Sequence, residues 1–354
     1  MKGVLLHGGH GTRLRPLTHT GPKQLLPIAN RPMSEYCIDS MKDAGITDIV
    51  VIIGGLGSKK VQDYYGDGSK FGVNLSYIEQ DEPKGIAHAI NLARNFVGSE
   101  KFLVFLGDNI IQKSIKEFAE NFEKSSSDAS LLLCKVTNPS AFGIAEIKDN
   151  KIIKIVEKPK NPPSDLAVTG IYFLNSTIFD MIDNLKPSWR NELEITDALH
   201  MLLETNHKID FHMITDYWKD TGTPQDIIHA NKEILVNSTP HIDGELSSDV
   251  IKEGMIIIEK GARIEDNVQL IGPILIGYNT IISEGAIIGP NATIGNECVI
   301  SKVKIKNSII MDNCKISLQT NLADSIIASN SELGSKKESQ DETFLLGEGT
   351  KIFL

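Results

Sequence analysis

A glycine-rich segment near the start of the chain holds the residues best suited to bind phosphate. Gly8–Arg13 follows a short apolar run, and Lys23 comes ten residues after Arg13. Glycines let a backbone approach a ligand closely, and free N–H groups at a strand-to-helix turn form a surface that binds phosphates. The arginine and the lysine add fixed positive charge. The segment therefore predicts a binding site for nucleotide phosphates.

Two carboxylates follow predicted strands further along the chain. Asp108 comes after the apolar run Phe102–Leu106, and Asp220 follows the strand-like segment Phe211–Ile214. A carboxylate at the carboxyl end of a parallel strand lies where open α/β sheets bind ligands, although an aspartate in such a turn is as often only a cap. The pair could hold one Mg²⁺, which prefers oxygen ligands. Spacing alone does not bring the two together.

Strands and helices alternate over the first two thirds of the chain. Continuous apolar runs predict strands buried on both faces, at Val4–Leu6, Asp48–Ile53, Phe102–Leu106 and Leu131–Leu133. Amphipathic segments predict helices over Glu35–Ala44, Ile86–Val97, Ile115–Lys124, Glu192–Glu204 and Pro224–Val236. Ile144–Ile147 and Ile152–Val156 predict a hairpin across Asp149-Asn150. This order predicts an α/β domain of the Rossmann-like type with a mixed sheet.

Beyond the linker Asn237–Pro240 the sequence repeats every six residues. An aliphatic residue recurs from Ile258 to Ile300 without a miss, and a small or aliphatic residue stands two places before each. A six-residue unit that forms one flat side of a triangular coil explains this period, which predicts a parallel β-helix. Lys336–Glu342 then predicts a polar loop, and Leu345–Glu348 the end of the stack. We therefore expect two domains, residues 1–237 and 238–354.

Composition excludes several classes of protein. The net charge is −10 over 354 residues, without the clustered basic face that is typical of nucleic-acid binding. No apolar stretch approaches the ~18 residues of a membrane span, so we expect a cytoplasmic protein with no membrane partner. The four cysteines form no CxxC pair and predict reduced thiols. The nine histidines show no HExxH motif or Cys/His cluster, so the sequence predicts no zinc site.

The glycine-rich segment also carries a family resemblance. The string from Gly8 to Thr18, followed by Pro22–Pro27, closely resembles the signature of the sugar-1-phosphate nucleotidyltransferases. Within that family the chain is most similar to the long-form glucose-1-phosphate thymidylyltransferases, because Gln80 and the string Glu192–Asp197 also match. The strict hexad resembles the left-handed hexapeptide-repeat family, which implies a left-handed β-helix after the catalytic domain.

The resemblance implies a reaction and a set of site residues. The enzyme would transfer dTMP from dTTP to glucose 1-phosphate, release pyrophosphate, and use Mg²⁺ as cofactor. It implies catalytic roles for Arg13 and Lys23 and metal binding by Asp108 and Asp220. The implied nucleotide-binding residues are Gly8, Gly9, Gly11, Thr12, Gln80 and Gly85. The implied sugar- and phosphate-binding residues are Asn109, Gly143, Glu157, Lys158, Val168, Gly170 and Trp218.

Three alternatives stay open at this point. The enzyme could use UTP, GTP or ATP with another sugar 1-phosphate, and selectivity against UTP rests on a single methyl group. The β-helix could carry an acyltransferase activity, although its register is unbroken and lacks a histidine between Ile258 and Ile300. A regulatory subunit without activity would ordinarily have lost residues such as Arg13 and Lys23. We also expect a homo-oligomer that associates through the β-helix, the catalytic domain or both.

His7 departs from the family pattern. Relatives usually carry alanine or serine just before the glycines, whereas this chain has an imidazole. We expect the ring at the edge of the nucleotide, where it would either pack and hydrogen-bond or obstruct binding.

Overall fold

A computed structural model describes residues 1–9, 11–55 and 57–334. It divides into two compact units. The first comprises Met1–Gly11, Thr18–Leu25 and Met33–Asp220, and the second comprises Thr12–Leu17, Leu26–Pro32 and the chain from Thr221 onward.

The segment up to residue 237 contains thirteen strands and eight α-helices within the described residues. The strands are β1 (Lys2–Leu6), β2 (Pro27–Ile28), β3 (Arg31–Pro32), β4 (Asp48–Ile53), β5 (Asn74–Glu79), β6 (Phe102–Leu106), β7 (Asn109–Ile111), β8 (Ala129–Lys135), β9 (Gly143–Lys148), β10 (Lys151–Glu157), β11 (Leu166–Leu174), β12 (Ile209–Ile214) and β13 (Trp218–Asp220). The helices are α1 (Met33–Asp43), α2 (Ser58–Tyr65), α3 (Ile86–Leu92), α4 (Arg94–Val97), α5 (Lys116–Lys124), α6 (Thr177–Asp183), α7 (Ile195–Glu204) and α8 (Pro224–Val236).

A mixed sheet forms the centre of the first unit. Its strand order is β10-β9-β11-β6-β1-β4-β5, and β8 joins β12 to β11. Strands β6, β1, β4 and β5 run parallel, whereas β11 is antiparallel to β6. The carboxyl ends of β1 and β6 therefore meet at one edge, and the glycine-rich segment and Asp108 follow these two ends. The expected Rossmann-like α/β domain with a mixed sheet is confirmed.

Most predicted elements of this unit form at their predicted places. The hairpin of β9 and β10 is antiparallel, and its turn residues Asp149 and Asn150 have φ of 50° and 57°. Asparagine and aspartate tolerate this left-handed region better than most residues.

Two predicted helices differ from the structure. The helix predicted over residues 86–97 is divided at Ala93. The backbone N–H of Ala93 bonds to the carbonyl of Ile90, three residues back, whereas an α-helix bonds four residues back. The helix predicted from Glu192 begins only at Ile195. Leu193 instead exchanges backbone hydrogen bonds with Lys84 and Ala87, at 2.7 and 3.1 Å, so a long-range pairing replaces the first helical turn.

Short parallel strands make up most of the second unit. They are β14 (His241–Ile242), β15 (Glu245–Leu246), β16 (Ile251–Glu253), β17 (Ile256–Ile258), β18 (Arg263–Ile264), β19 (Gln269–Ile271), β20 (Ile274–Ile276), β21 (Ile281–Ile282), β22 (Ile287–Ile288), β23 (Ala292–Ile294), β24 (Val299–Lys306), β25 (Ser308–Ile310), β26 (Lys315–Ala323), β27 (Ile326–Ile327) and β28 (Glu332–Gly334).

These strands stack at intervals of eighteen residues over the regular part of the repeat. Ile256 pairs with Ile274, Arg263 with Ile281, and Gln269 with Ile287. Each coil of eighteen residues therefore contains three six-residue units, as the period predicts. The recurring aliphatic residues form a buried core, in which Ile258, Leu270, Ile276 and Ile282 are all 0% exposed. The loop predicted at 336–342 and the end of the stack predicted at 345–348 lie outside the described residues.

Asn231 on α8 joins three parts of the second unit. Its Oδ1 accepts hydrogen bonds from the backbone N–H of Ala29, at 2.8 Å, and from the hydroxyl of Thr293, at 2.9 Å. A small apolar cluster of Ala29, Leu235, Ile257 and Leu275 packs nearby. Helix α8 and the β2–β3 hairpin are thereby fixed to the parallel coils.

Within the described part of the chain, no helix is both long and apolar enough to cross a membrane.

Neighbouring residues of β21 provide a test of the stacked core. The side chain of Ile282 is fully buried, whereas Ile281 is only partly buried. We expect Ile282→Ala to lower the free energy of unfolding by about 2–5 kcal/mol, because it removes buried methyl groups and leaves a cavity. Ile281→Ala should cost less than ~1 kcal/mol. Denaturant titration of both variants measures this, and equal losses would contradict an inward-facing column.

Candidate active site

Six predicted residues line one cavity of about 290 Å³ in the first unit. They are Gly8, Gly9, Lys23, Gln80, Gly85 and Asp108. The structure therefore brings together the glycine-rich segment, a lysine, a carboxylate and an amide. Sequence motifs separated by as many as 100 residues meet here because β1 and β6 are adjacent and parallel.

The first glycines lie against polar side chains of the cavity. The carbonyl of Gly8 accepts a hydrogen bond from Gln24 Nε2 at 3.0 Å. A Cβ on Gly8 would lie 3.1 Å from Gln80 Oε1, and Gly9 has a φ of 103°. A larger residue at either position would crowd the cavity or strain the backbone. The segment thus leaves its backbone open to a ligand.

Gln80 is held in a defined orientation at this cavity. Its Nε2 lies 3.0 Å from His88 Nδ1 and 3.5 Å from the carbonyl of Gly85. Burial, assisted by Lys84, lowers the pKa of His88, which favours the neutral ring that can accept the amide hydrogen. With its nitrogen engaged, Gln80 presents Oε1 beside Gly8.

The backbone that passes beside Gly85 leaves no room for a side chain at this position. Its φ is 105°, and a Cβ would lie only 2.5 Å from the carbonyl oxygen of Leu193. This close approach accompanies the backbone pairing of Leu193 with Lys84 and Ala87. The same pairing brings Arg190 and Glu192 to the cavity wall.

Lys23 and Asp108 form an ion pair within the cavity, between Nζ and Oδ2. The two side chains are only 15% and 11% exposed. Burial by itself would raise the pKa of Asp108, but Lys23 and a hydrogen bond from Asn109 hold that pKa below its usual value. Asp108 is therefore an ionised carboxylate at neutral pH.

Asn109 connects the elements that surround Asp108. Its Nδ2 donates to Asp108 Oδ1 at 3.0 Å, and its Oδ1 accepts from the indole N–H of Trp218 at 2.8 Å. The same oxygen lies 3.2 Å from the backbone nitrogen of Gly170. Asn109 is 2% exposed. Three of the predicted sugar-binding residues thus form one hydrogen-bonded group that orients Asp108.

Asp220 lies next to this group. Strands β7 and β13 are antiparallel, and Asp220 is directly opposite Asn109. Directly opposed residues on antiparallel strands have Cβ atoms about 5 Å apart, so Asp220 is a close neighbour of Asn109, whose amide donates to Asp108. A donor set of carboxylate oxygens fits a hard divalent cation such as Mg²⁺. The register thus places Asp220 near the hydrogen-bond partner of Asp108, and a shared metal site stays a prediction.

Glu157 is the centre of a second polar group. Its carboxylate lies 3.3 Å from Lys158 Nζ and 3.4 Å from Arg190 Nη1, and Thr196 donates to it at 3.1 Å. A Cβ on Gly143 would lie 2.5 Å from Thr196 Cγ2, so glycine is needed there. Gly143, Glu157 and Lys158 are therefore brought together, as a shared sugar site requires.

Arg190 is the residue that sequence reasoning missed. It lines the cavity and also contacts Glu157, and its Nη2 lies 2.9 Å from Glu192. It therefore lies on the wall of the cavity that holds Lys23 and Asp108 while it contacts the Glu157 group. Its place just before the string Glu192–Asp197 was the available signal, but a helix predicted from Glu192 gave no reason to place it in a cavity.

Val168 and Arg13 are not in this cavity wall. Val168 is 6% exposed and packs in the core of the first unit, on β11.

Thr12 and Arg13 belong to the second unit, where a Cβ on Gly222 would lie 2.8 Å from Arg13 Nη2. Gly11 ends the first segment of the first unit, and its carbonyl accepts from the Thr18 hydroxyl at 2.8 Å. The phosphate-binding roles of Gly11, Thr12 and Arg13 stay predictions.

His7 is buried beneath the cavity rather than at its edge. Leu6 and Gly8 line the cavity, whereas the His7 ring, on the opposite face of the chain, meets Tyr65 edge-on at 6.0 Å. It is 1% exposed, and within the described residues neither ring nitrogen has a hydrogen-bond partner. Burial lowers the pKa of His7 to about 3, against a smaller opposing effect of Asp108. The ring is therefore a neutral packing group.

Comparison with known families identifies the class of protein. The family model described as "Nucleotidyl transferase" matches residues 2–237, and a model described as "GMPPB C-terminal domain" matches residues 270–352. The chain therefore belongs to the nucleotidyl transferase family, and it is a nucleotidyltransferase. The resemblance seen in the glycine-rich segment is confirmed.

Individual relatives agree with this assignment. The low-salt glycan biosynthesis nucleotidyltransferase Agl11 of Haloferax volcanii is 41% identical over 100% of both chains. A glucose-1-phosphate thymidylyltransferase of Streptomyces antibioticus is 36% identical and covers 99% of each. A crystal structure from Bacillus anthracis, assigned as a glucose-1-phosphate thymidylyltransferase and determined with sucrose, has a TM-score of 0.64 and 40% identity. It covers 68% of this chain and 97% of its own.

The burial of His7 predicts a pH effect on stability. The unfolded chain binds a proton at His7 below a pH of about 6.5, whereas the folded chain does so only near its pKa of about 3. Folding therefore loses stability as the pH falls below about 6.5, by up to about 1.4 kcal/mol per pH unit. We expect His7→Ala to remove this slope between pH 6 and 4.5. Denaturant titrations at several pH values measure it, and parallel slopes for the two proteins would refute the assignment.

Proposed function

We propose that this enzyme transfers dTMP from dTTP to glucose 1-phosphate, forming dTDP-glucose and pyrophosphate with Mg²⁺ as cofactor. The observation that carries the proposal is the Lys23–Asp108 ion pair in a cavity shared with Gln80 and the glycine-rich segment. Relatives named glucose-1-phosphate thymidylyltransferase, one of which aligns over nearly the full chain, support the choice of sugar and nucleotide.

The reaction needs positioning and charge neutralisation more than proton transfer. The attacking group is a phosphate oxygen that is already ionised at neutral pH, so no protein base is needed. Lys23 would lie beside the α-phosphate and the attacking oxygen and offset their mutual repulsion. Its contact with Asp108 holds the ammonium group in a mostly buried position, where its charge acts through a lower dielectric constant than in water.

Asp108 and Asp220 would hold the divalent cation. Mg²⁺ bound there would supply positive charge to the phosphates as pyrophosphate leaves. Asn109 positions Asp108 through its amide N–H, and the β7–β13 register brings Asp220 to the same region. Because Lys23 also contacts Asp108, the lysine and the cation would share this carboxylate, which keeps both positive charges near the α-phosphate.

The glycine-rich segment would bind the remaining phosphates. Backbone N–H groups of Gly8, Gly9, Gly11 and Thr12 would donate to phosphate oxygens. Arg13 would contact the β- and γ-phosphates, whose charge increases during the reaction, through its planar guanidinium.

Base and sugar would occupy opposite sides of the Lys23–Asp108 pair. Gln80 would read the pyrimidine edge, with Gly85 beside it. The Glu157 group would bind sugar hydroxyls and the phosphate, through Glu157 and Lys158 beside Gly143 and Gly170. Arg190 lines the cavity of the nucleotide side and contacts Glu157 on the sugar side.

A uridylyltransferase is the main alternative. A thymine methyl group is worth only ~1–3 kcal/mol of discrimination, so UTP could also react. An acyltransferase activity in the second unit is disfavoured by its unbroken hexads from Ile258 to Ile300.

For the architecture, we propose a domain boundary between residues 237 and 238 and a left-handed β-helix. We also propose a homo-oligomer, supported by the exposed apolar residues Ile251, Tyr278 and Val299 on the coils.

Substitution of Lys23 tests the mechanism. We expect Lys23→Ala to lower kcat about 100-fold or more, because the developing charge loses its fixed partner. Lys23→Arg should keep the charge but recover only part of kcat, since the guanidinium has a different shape. Lys59→Ala, at an exposed position, is the matched control. Steady-state kinetics, with circular dichroism to verify folding, measure these effects, and near-wild-type kcat in folded Lys23→Ala would contradict this role.

A substrate panel tests the proposed function. Pyrophosphate release is measured with dTTP, UTP, GTP and ATP against glucose 1-phosphate and several other sugar 1-phosphates, with Mg²⁺ present. We expect the highest kcat/KM for dTTP with glucose 1-phosphate, and a residual rate with UTP. A higher kcat/KM with a purine nucleotide, or with another sugar phosphate, would replace the proposed substrate while leaving the nucleotidyltransferase class unchanged.

A further inference from the structure

A histidine and two carboxylates meet at the first coil of the second unit. His241, Asp243 and Glu259 each offer a ligand atom, and these atoms all lie within 4.8 Å of one another. His241 is on β14, and Asp243 follows it, with its N–H bonded to the carbonyl of Ile258 at 2.8 Å. Glu259 comes directly after β17, on the next coil. The sequence predicted no zinc site because the coils, and not a local motif, bring these groups together.

The distance between two of the donor atoms suits two ligands of one tetrahedral ion. His241 Nε2 lies 3.6 Å from Glu259 Oε1. Zinc binds histidine nitrogen and carboxylate oxygen at about 2.0–2.1 Å, so two of its ligand atoms lie about 3.4 Å apart. The pair is therefore spaced as two ligands of one ion would be.

The second nitrogen of His241 has the partner that a metal-binding imidazole needs. Nδ1 lies 3.3 Å from the backbone carbonyl of Thr239. A carbonyl can only accept, so Nδ1 donates in this contact, and Nε2 of the neutral ring is then the nitrogen available to a metal ion. His200 and Glu204 on α7 form a similar pair at 3.8 Å. Among the described residues, however, His200 Nδ1 has no hydrogen-bond partner.

Glu259 is also held in place by a neighbour from a third coil. The hydroxyl of Tyr278 lies within hydrogen-bonding reach of its carboxylate. Carboxylates that bind metals are commonly oriented by such a second contact. Two of the three candidate ligands therefore have supporting hydrogen bonds.

We propose that His241, Asp243 and Glu259 bind a divalent transition-metal ion of the zinc class. An imidazole with two carboxylates favours zinc over Mg²⁺, which prefers oxygen ligands alone. Because β14 is the terminal strand of its sheet and pairs only through two residues, the ion would fasten the end of the stack to the second coil. The site is structural and uses none of the residues proposed to hold Mg²⁺.

Zinc titration of the full chain tests this proposal. The titration is done with Mg²⁺ in millimolar excess, so that the Asp108–Asp220 region is occupied. The wild type should bind one more zinc ion per chain than His241→Ala, and Asp243→Asn should bind it at least 10-fold more weakly. Zinc should raise the thermal unfolding midpoint of the wild type but not that of His241→Ala. His200→Ala is the matched control, and it should behave as the wild type does.

Two further readouts separate metal binding from a simple ion pair. Co²⁺ in place of zinc should give the visible absorption of a tetrahedral site in the wild type and lose it in His241→Ala. Nucleotidyl transfer with Mg²⁺ should be the same in both proteins, so failure here is independent of the proposed function. Equal zinc uptake by wild type and His241→Ala would overturn the proposal.

Discussion

The buried contact between Lys23 and Asp108 is the interaction on which the site depends. A carboxylate with so little exposure is costly unless a positive group and hydrogen bonds compensate its charge. Lys23 supplies the charge, and Asn109 supplies one of the hydrogen bonds. The position of Asn109 is in turn fixed by Trp218 and Gly170, so strands β7, β11 and β13 all contribute to orienting one carboxylate.

This dependence explains the strict geometry of the surrounding chain. Gly170 has no room for a side chain, because a Cβ would lie 2.7 Å from Asn109 Nδ2. The register of β11 with β8 is also irregular between Val168 and Tyr172, which frees the Gly170 N–H to bond Asn109. Local departures from a regular sheet thus serve the placement of a charged group, as is common where binding sites override ideal geometry.

The sequence predicted which strands and helices form better than it predicted where the helices begin and end. It predicted the motifs that face the ligand better than the residues that position them. Strands β4 and β6 were predicted with their observed bounds, because apolar runs bordered by turn residues leave little choice. The hexads predicted the eighteen-residue coil, because three six-residue units, each with one inward aliphatic residue, complete one turn of a triangular coil. Arg190 and the late start of α7 were missed because they follow from the long-range pairing of Leu193. The orientation of His7 was missed because it depends on which face of β1 meets Tyr65.

Asn231 has a consequence for how this chain can be divided. The family model ends at residue 237, yet α8 and the β2–β3 hairpin, both within its span, belong to the compact unit of the parallel coils. Cutting the chain after residue 237 would remove Thr293 and expose Leu235, which packs with Ile257 and Leu275. Contacts within the second unit therefore cross the proposed boundary at residue 237. A truncation at that boundary would cut through a packed cluster and not through a free linker.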